Sequence, residues 1–246
     1  MSQMTESGIA DSRWQGLYKL GGVTAQMIAI FLLGEIAVYA ILPRPGTAVE
    51  YFALFRDNWL AGLLYLDLLG MISYLLFVPT ILALYMTLRR TSETVMLVAT
   101  ALFFVGIIDF FATNTAFPFL SLSSQYAAAT TDAERAIFLA AGQAMVALFN
   151  ENAFLQSYVM VSAAWTMISG VMLRSNIFSR ITAYIGILAG TAGILAVVLE
   201  HILDKDALFV AISLYFAAIV FLLVWVVLAG RRLYHLHTIS AAIRER

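Results

Sequence analysis

Four carboxyl groups and one imidazole interrupt stretches of the sequence that are otherwise apolar. They belong to Glu35, Asp67, Asp109, Glu200 and His201. Carboxylates and imidazole can hold a proton, bind a cation or a transition metal, or act as general bases. In a hydrocarbon environment each such side chain costs at least a few kcal/mol, so each requires a function or a hydrogen-bond partner.

The charge balance of these apolar stretches favours a functional interpretation. No lysine or arginine lies inside any of them, so the carboxyl groups have no basic partner there. Burial without a counter-charge favours the neutral form of a carboxyl group. We therefore expect protonated carboxyls, a shared proton or a bound cation, with His201 able to supply one positive charge.

The composition places these residues in a membrane protein. Of the 246 residues, 62% are hydrophobic and 12% are charged, against about 45–50% and about 25% in an ordinary soluble chain. The bilayer is therefore the main predicted partner. The absence of cysteine excludes a disulfide scaffold, and the formal net charge of −1 excludes a basic nucleic-acid-binding protein.

Six stretches are long and apolar enough to cross a bilayer as helices, which takes about 20 residues each. The predicted fold is all-α: a polytopic membrane helix bundle forming a single domain over residues 1–246. The predicted spans are residues 20–42, 60–88, 95–117, 153–173, 181–203 and 207–230.

The distribution of basic residues predicts the orientation of the bundle. Short basic loops stay in the cytoplasm, and ten of the 14 lysines and arginines fall on the side of the N-terminus and every second loop. We therefore predict a multi-pass plasma-membrane protein with both termini inside. The ten residues are Arg13, Lys19, Arg89, Arg90, Arg174, Arg180, Arg231, Arg232, Arg244 and Arg246.

This orientation places all five ionisable residues in the outer half of the membrane. Successive helices cross in alternating directions, so the position of a residue along its helix gives its depth. The five residues are therefore predicted to contribute to one binding site. Three amide side chains at similar depth join them in the prediction: Asn114, Asn152 and Gln156.

Two amphipathic segments are predicted on the outer face, at residues 47–58 and 132–149. The first reads as a short helix at the membrane interface. The second begins with Thr131 and Glu134, which have the spacing of a capping box. It either lies flat or continues into the fourth span, and it serves as a connecting helix or as a cap over an outward-facing cavity.

A stripe of small residues on the fifth span suggests which way Glu200 points. Gly186, Gly190, Gly193 and Val197 precede it at helical spacing on one face. Small residues in this pattern allow close approach between membrane helices. We therefore expect Glu200 to point into the bundle.

Three functions are compatible with these residues. The first is binding or translocation of a cation, a proton or a small solute at the acidic site. The second is a metal-dependent enzyme acting on a lipid-like substrate, with candidate ligands Asp67, Asp109, Glu200 and His201; no Glu-x-x-His spacing supports it. The third is a non-catalytic accessory subunit whose carboxyls fix helix packing. No cofactor is identified, and the sequence leaves open a single copy or an oligomer.

Short motifs spread along the chain resemble one known family. They are Leu82-Ala83-Leu84-Tyr85 with Leu88-Arg89, then Ala129-Thr130-Thr131 with Arg135, and finally Val171-Met172-Leu173-Arg174-Ser175 with Phe178, Arg180, Ala183 and Gly186. Together they resemble the prokaryotic membrane family catalogued as domain of unknown function 4386. The resemblance implies a six-helix bacterial or archaeal membrane protein and brings no established activity or functional residues.

Overall fold

A computed structural model describes residues 12–42, 45–149, 154–202 and 208–244, and these residues form helices without any strand. The predicted all-α class is therefore confirmed. A 3-10 turn at Ser12–Trp14 precedes the first α-helix. The α-helices are α1 Gln15–Ile41, α2 Ala48–Asp57, α3 Trp59–Tyr65, α4 Leu68–Leu88, α5 Glu93–Thr113, α6 Ala116–Ala128, α7 Asp132–Leu148, α8 Phe154–Arg174, α9 Arg180–Ile202 and α10 Leu208–Arg244.

Five segments of the described chain are long and apolar enough to cross a membrane, so the chain is a multi-pass membrane protein. Helix α8 matches the predicted span at residues 153–173 but is not among the five. Its 21 residues include several polar ones, such as Gln156, Ser162 and Ser169. The count of six spans stays a prediction. The five segments are Gln15–Ile41, Leu68–Leu88, Glu93–Ala128, Arg180–Glu200 and Phe209–Ala241.

Two of the predicted spans are interrupted. The segment 60–88 is divided into α3 and α4 by a break at Leu66 and Asp67, whereas Pro79 lies within α4. The segment 95–117 is divided into α5 and α6 at Asn114 and Thr115, where the Asn114 side chain accepts a hydrogen bond from the Ala116 amide at the start of α6. Both breaks therefore occur at a polar residue that can bond to the backbone.

The described residues form two compact units. The first unit comprises those of Met1–Ile30, Ser73–Ile107 and Tyr158–Arg246, and the second those of Phe31–Ile72 and Ile108–Ser157. Helices α1, α4, α5 and α8 contribute residues to both. The predicted single membrane domain stays a prediction.

The glycine stripe of α9 packs closely inside the first unit, as predicted. A Cβ atom at Gly186 would overlap the Ser169 hydroxyl and the Trp225 indole nitrogen. One at Gly190 would overlap the Thr166 hydroxyl and a backbone carbonyl of α8. Only a residue without a side chain allows helices α8, α9 and α10 to approach this closely.

An aromatic core holds the second unit together around Phe119 of α6. The Phe119 ring centroid lies 5.1 Å from that of Tyr51, 6.0 Å from that of Phe52 and 6.3 Å from that of Phe55. The apolar face of α2, predicted to lie at the membrane interface, is thus buried against protein. Its amphipathic pattern reflects packing on a neighbouring helix.

Helix α7 packs against the same buried face of α2. The Phe52 ring lies directly over Gly142 of α7. The capping box at the start of α7 is confirmed, since Thr131 Oγ1 accepts from the Glu134 amide and the Glu134 carboxylate accepts from the Thr131 amide. Residues 150–153, where α7 would lie flat or run on into the next span, are outside the described residues.

Candidate functional site

Asp67 occupies the break between α3 and α4 with an unusual backbone conformation. Its φ is 75°, and among the described residues it is the only non-glycine residue with a positive φ. Aspartate enters this left-handed region more readily than most residues, but at a cost of about 1–3 kcal/mol. The surrounding structure therefore holds Asp67 in place.

The Asp67 side chain is turned back onto the first turn of α4. It is 8% exposed and accepts a hydrogen bond from the Gly70 amide. A Cβ atom at Gly70 would overlap the Asp67 carboxylate, so the glycine provides the room for this contact. A carboxylate at the start of a helix is stabilised by the free amides there.

Two effects act on the Asp67 carboxyl in opposite directions. Asp67 directly precedes the membrane-spanning segment of α4, which begins at Leu68. Burial raises its pKa to about 6, although the hydrogen bond from the Gly70 amide lowers it. Desolvation is the larger effect, so this carboxyl takes up a proton more readily than an exposed one.

Tyr39 links Asp67 to a second carboxyl and to two further tyrosines. The Tyr39 phenol interacts electrostatically with both Asp67 and Glu35. The ring centroid of Tyr65 lies 5.5 Å from that of Tyr39 and 6.1 Å from that of Tyr51, with edge-to-face geometry in both pairs. We call these five residues the tyrosine–carboxyl cluster. All of them belong to the second unit.

The cluster is closed at one end and open at the other. Tyr51 and Tyr65 are buried, as is Asp67, whereas Tyr39 is 50% exposed. Glu35 is half-buried one helical turn before Tyr39 on α1. The cluster is therefore covered on the side of Tyr51 and Tyr65 and exposed on the side of Tyr39.

Asn114 supports the turn that carries Asp67. Its amide nitrogen donates to the Leu66 carbonyl at 3.3 Å, and its amide oxygen accepts from the Ala116 amide at 3.0 Å. One side chain thus fixes both helix breaks of the second unit. The predicted binding residue Asn114 is placed beside the cluster as a positioning residue.

Asp109 lies in the second unit without a recorded hydrogen bond to the cluster. It is half-buried on α5, and its Oδ2 atom is buried without a hydrogen-bond partner among the described residues. Its backbone carbonyl accepts from Thr113 Oγ1 at 2.6 Å. The described contacts therefore give no direct link between Asp109 and Asp67.

Glu200 belongs to the first unit, and its burial inside the bundle stays a prediction. The side chain is exposed, and its carboxylate accepts a hydrogen bond from the Tyr215 hydroxyl at 2.7 Å. The Tyr215 ring packs against that of Tyr158, with centroids 5.6 Å apart. Glu200 thus faces a residue of α10, on the side of α9 that the glycine stripe indicated, while its side chain remains exposed.

The remaining predicted residues add little to the cluster. Gln156 is exposed. Asn152 and the side chain of His201 lie outside the described residues. Within the described chain no three histidine, cysteine, aspartate or glutamate residues come together in a group that could hold a metal ion. The candidate ligands Asp67, Asp109 and Glu200 therefore do not form such a group.

Sequence reasoning missed the three tyrosines. They come from α1, α2 and α3, and no spacing along the chain joins them. One signal was present, because Tyr39 follows Glu35 by four residues on a helix and so shares its face.

Comparison with known proteins bears on the family alone. No curated protein and no solved structure matches the chain at a significant level. Residues 20–230, most of the chain, match the family described as Domain of unknown function (DUF4386). The motifs that suggested this family from the sequence lie within that range. The chain therefore belongs to the DUF4386 family.

Proposed function

We propose that this membrane protein binds a proton or a small cation at the tyrosine–carboxyl cluster. The observation that carries the proposal is Asp67, a buried carboxyl held in a left-handed conformation. Structures maintain such strain mainly where a site depends on it. The strain and the burial are therefore best explained by a binding role for Asp67.

The two carboxyl groups favour a positively charged ligand. Asp67 and Glu35 both act on the Tyr39 phenol, so a proton or a cation beside this phenol would be attracted by two acidic groups. The tyrosine hydroxyls could donate hydrogen bonds to whichever carboxylate stays ionised.

The other predicted residues keep a place in the proposal. Asn114 positions the Asp67 turn, while the unpartnered Oδ2 of Asp109 offers a further acceptor in the same unit. Participation of Gln156, Asn152, Glu200 and His201 in the binding site stays a prediction. Translocation of the bound ion, rather than binding alone, also stays a prediction.

A cation titration tests the proposal. Thermal unfolding of the detergent-purified protein should respond to acidification, or to one of sodium, potassium and magnesium, and Asp67→Asn should lose that response. Asp57→Asn is the matched control, since Asp57 is an exposed aspartate of the same unit that pairs with Arg56 at 3.0 Å. Equal responses in wild type and Asp67→Asn would show that the carboxyls serve only helix packing, as in an accessory subunit.

We further propose six crossings of the plasma membrane with both termini in the cytoplasm. The excess of basic residues on one side supports this arrangement. The chain has no cysteine, so single-cysteine variants report on one position each. In intact cells an impermeant maleimide should label Ala133→Cys on α7 and leave Thr91→Cys unlabelled. The reverse pattern would invert the orientation.

A further inference from the structure

A groove of about 620 Å³ runs between α1 and α10 in the first unit. One wall is formed by Val23, Met27 and Ile30, which lie on one face of α1. The other wall includes Arg231 and His235 of α10. None of the residues that line the groove, all of them in the described part of the chain, is acidic. The volume is in the range of ordinary small-ligand sites, about 300–1,000 Å³.

The two helices cross at a pair of glycines and run antiparallel. A Cβ atom at Gly22 would lie 3.0 Å from the Gly230 carbonyl and 2.8 Å from the Tyr234 amide. Further along α1, the Gln26 side-chain amide donates to the Val227 carbonyl at 3.1 Å. A later residue of α1 thus contacts an earlier residue of α10, as expected for antiparallel helices.

This antiparallel crossing gives the groove an apolar end and a basic end. Ile30 and Thr238 each lie eight residues beyond the crossing glycines, on helices running in opposite directions. At 1.5 Å per residue they lie about 12 Å to either side of the crossing. The exposed Met27 and Ile30 therefore line one half of the groove, and Arg231 and Thr238 the other half.

The basic end presents hydrogen-bond donors that are already oriented. Arg232 donates through Nε to the Ile177 carbonyl at 2.7 Å and through Nη1 to His235 Nδ1 at 3.2 Å. Since this contact uses His235 Nδ1 as the acceptor, the proton of a neutral ring lies on Nε2 and is free to be donated. The exposed guanidinium of Arg231 adds a charged, forked donor that matches a phosphate.

We propose that the α1–α10 groove binds one anionic phospholipid. An acyl chain lies along Val23, Met27 and Ile30, and the phosphate is held by Arg231 and His235. The positive charge of the groove is complementary to an anionic lipid. The apolar half of the groove adjoins the basic half, as the acyl chain of a lipid adjoins its headgroup. This site is separate from the tyrosine–carboxyl cluster and does not depend on it.

Native mass spectrometry of the full-length, delipidated protein in a neutral detergent tests the proposal. Dioleoyl-phosphatidylglycerol should bind at least about fivefold more tightly than dioleoyl-phosphatidylcholine, the factor expected for one cationic contact at a membrane surface. Arg231→Gln and His235→Gln together should abolish the preference. Arg89→Gln, which removes a member of the other basic pair, should retain it. Both groove side chains are exposed, so their replacement leaves the core intact.

Four outcomes would overturn the proposal. One is an undiminished preference in the double variant, and another is an equal loss in Arg89→Gln, which would indicate diffuse attraction. A third is binding of glycerol 3-phosphate as tight as that of the lipid, since the acyl chain would then contribute nothing. The fourth is a dimer that dissociates in the double variant while lipid binding is unchanged, because a second copy of the chain would then occupy the groove.

Discussion

The two compact units use their polar residues in different ways. In the first unit, polar side chains accompany close helix packing: Thr24 and Thr80 share a hydrogen bond of 2.9 Å, and Ser169 fills the space left by Gly186. In the second unit, Asp67 is buried in a strained conformation beside Tyr39. These polar side chains of the first unit thus support close helix packing, whereas the second unit buries an ionisable side chain.

Adding volume to the glycine stripe should produce the largest effect. In Gly190→Val the new side chain would overlap the Thr166 hydroxyl and the Ser162 carbonyl, and backbone cannot move aside as a flexible side chain does. We expect a loss of about 3 kcal/mol, measured as a lower midpoint of thermal unfolding in detergent. Gly170→Ala on α8 is the control, because nothing lies within 4 Å of its new Cβ.

The control should leave stability unchanged or raise it by up to about 1 kcal/mol, because alanine is a better helix former than glycine. Equal midpoints for Gly190→Val and the wild type would remove the distinction between the units, since the first unit would then tolerate looser packing. An equal loss in Gly170→Ala would show that any added volume in α8 or α9 is harmful.

Neutralising Asp67 should stabilise the protein at neutral pH. Because burial raises the folded-state pKa from 3.8 to about 6, the stability that Asp67 contributes is fully present below the unfolded value. That contribution is lost as the pH rises through 6. A difference of about two pKa units corresponds to about 3 kcal/mol, so Asp67→Asn should unfold at a higher temperature than the wild type at pH 7.

The pH dependence distinguishes this effect from a general change in packing. The advantage of Asp67→Asn should vanish below about pH 4, where the wild-type carboxyl is protonated in both states. Asp57→Asn should be neutral at every pH because Asp57 is exposed. A variant less stable than the wild type at pH 7 would mean that the ionised carboxylate is a structural requirement, and the second unit would resemble the first.

The sequence analysis predicted one domain and so did not predict a difference between two units. Apolar runs were sufficient to find the long helices, and the rarity of charge within them singled out Glu35 and Asp67 only together with Asp109, Glu200 and His201. The φ of 75° at Asp67 could not be predicted, because the turn that carries Asp67 depends on the contact of Asn114 with the Leu66 carbonyl, 48 positions away. Aromatic residues are common in membrane bundles, so nothing marked Tyr39 as a neighbour of Asp67.

Removing Asn114 should have a smaller effect that is specific to the second unit. Asn114→Ala loses the hydrogen bond from the Ala116 amide and the one to the Leu66 carbonyl, and a typical intramolecular hydrogen bond contributes about 1 kcal/mol. Asn58→Ala is a matched control, because Asn58 caps α3 through the Ala61 amide at 3.1 Å. Both variants should unfold at lower temperatures, but only Asn114→Ala should also alter the pH dependence set by Asp67. Identical pH profiles would remove Asn114 from the positioning of the cluster.

The smallest effect is expected at the capping box of α7, where an acidic residue of the second unit is used for structure alone. Hydrogen bonds from the amides of Thr131 and Thr130 lower the pKa of the exposed Glu134 carboxyl. A lowered folded-state pKa means that the contribution is present above the unfolded value and is lost as the pH falls through the folded one. Glu134→Gln should therefore be slightly less stable than the wild type at neutral pH, and the difference should shrink on acidification.

This is opposite in sign to Asp67→Asn, so unfolding profiles of the two variants against pH separate a carboxyl that favours its charged form from one that favours its proton. If both variants shifted in the same direction, the distinction between structural and binding carboxyls within the second unit would fail.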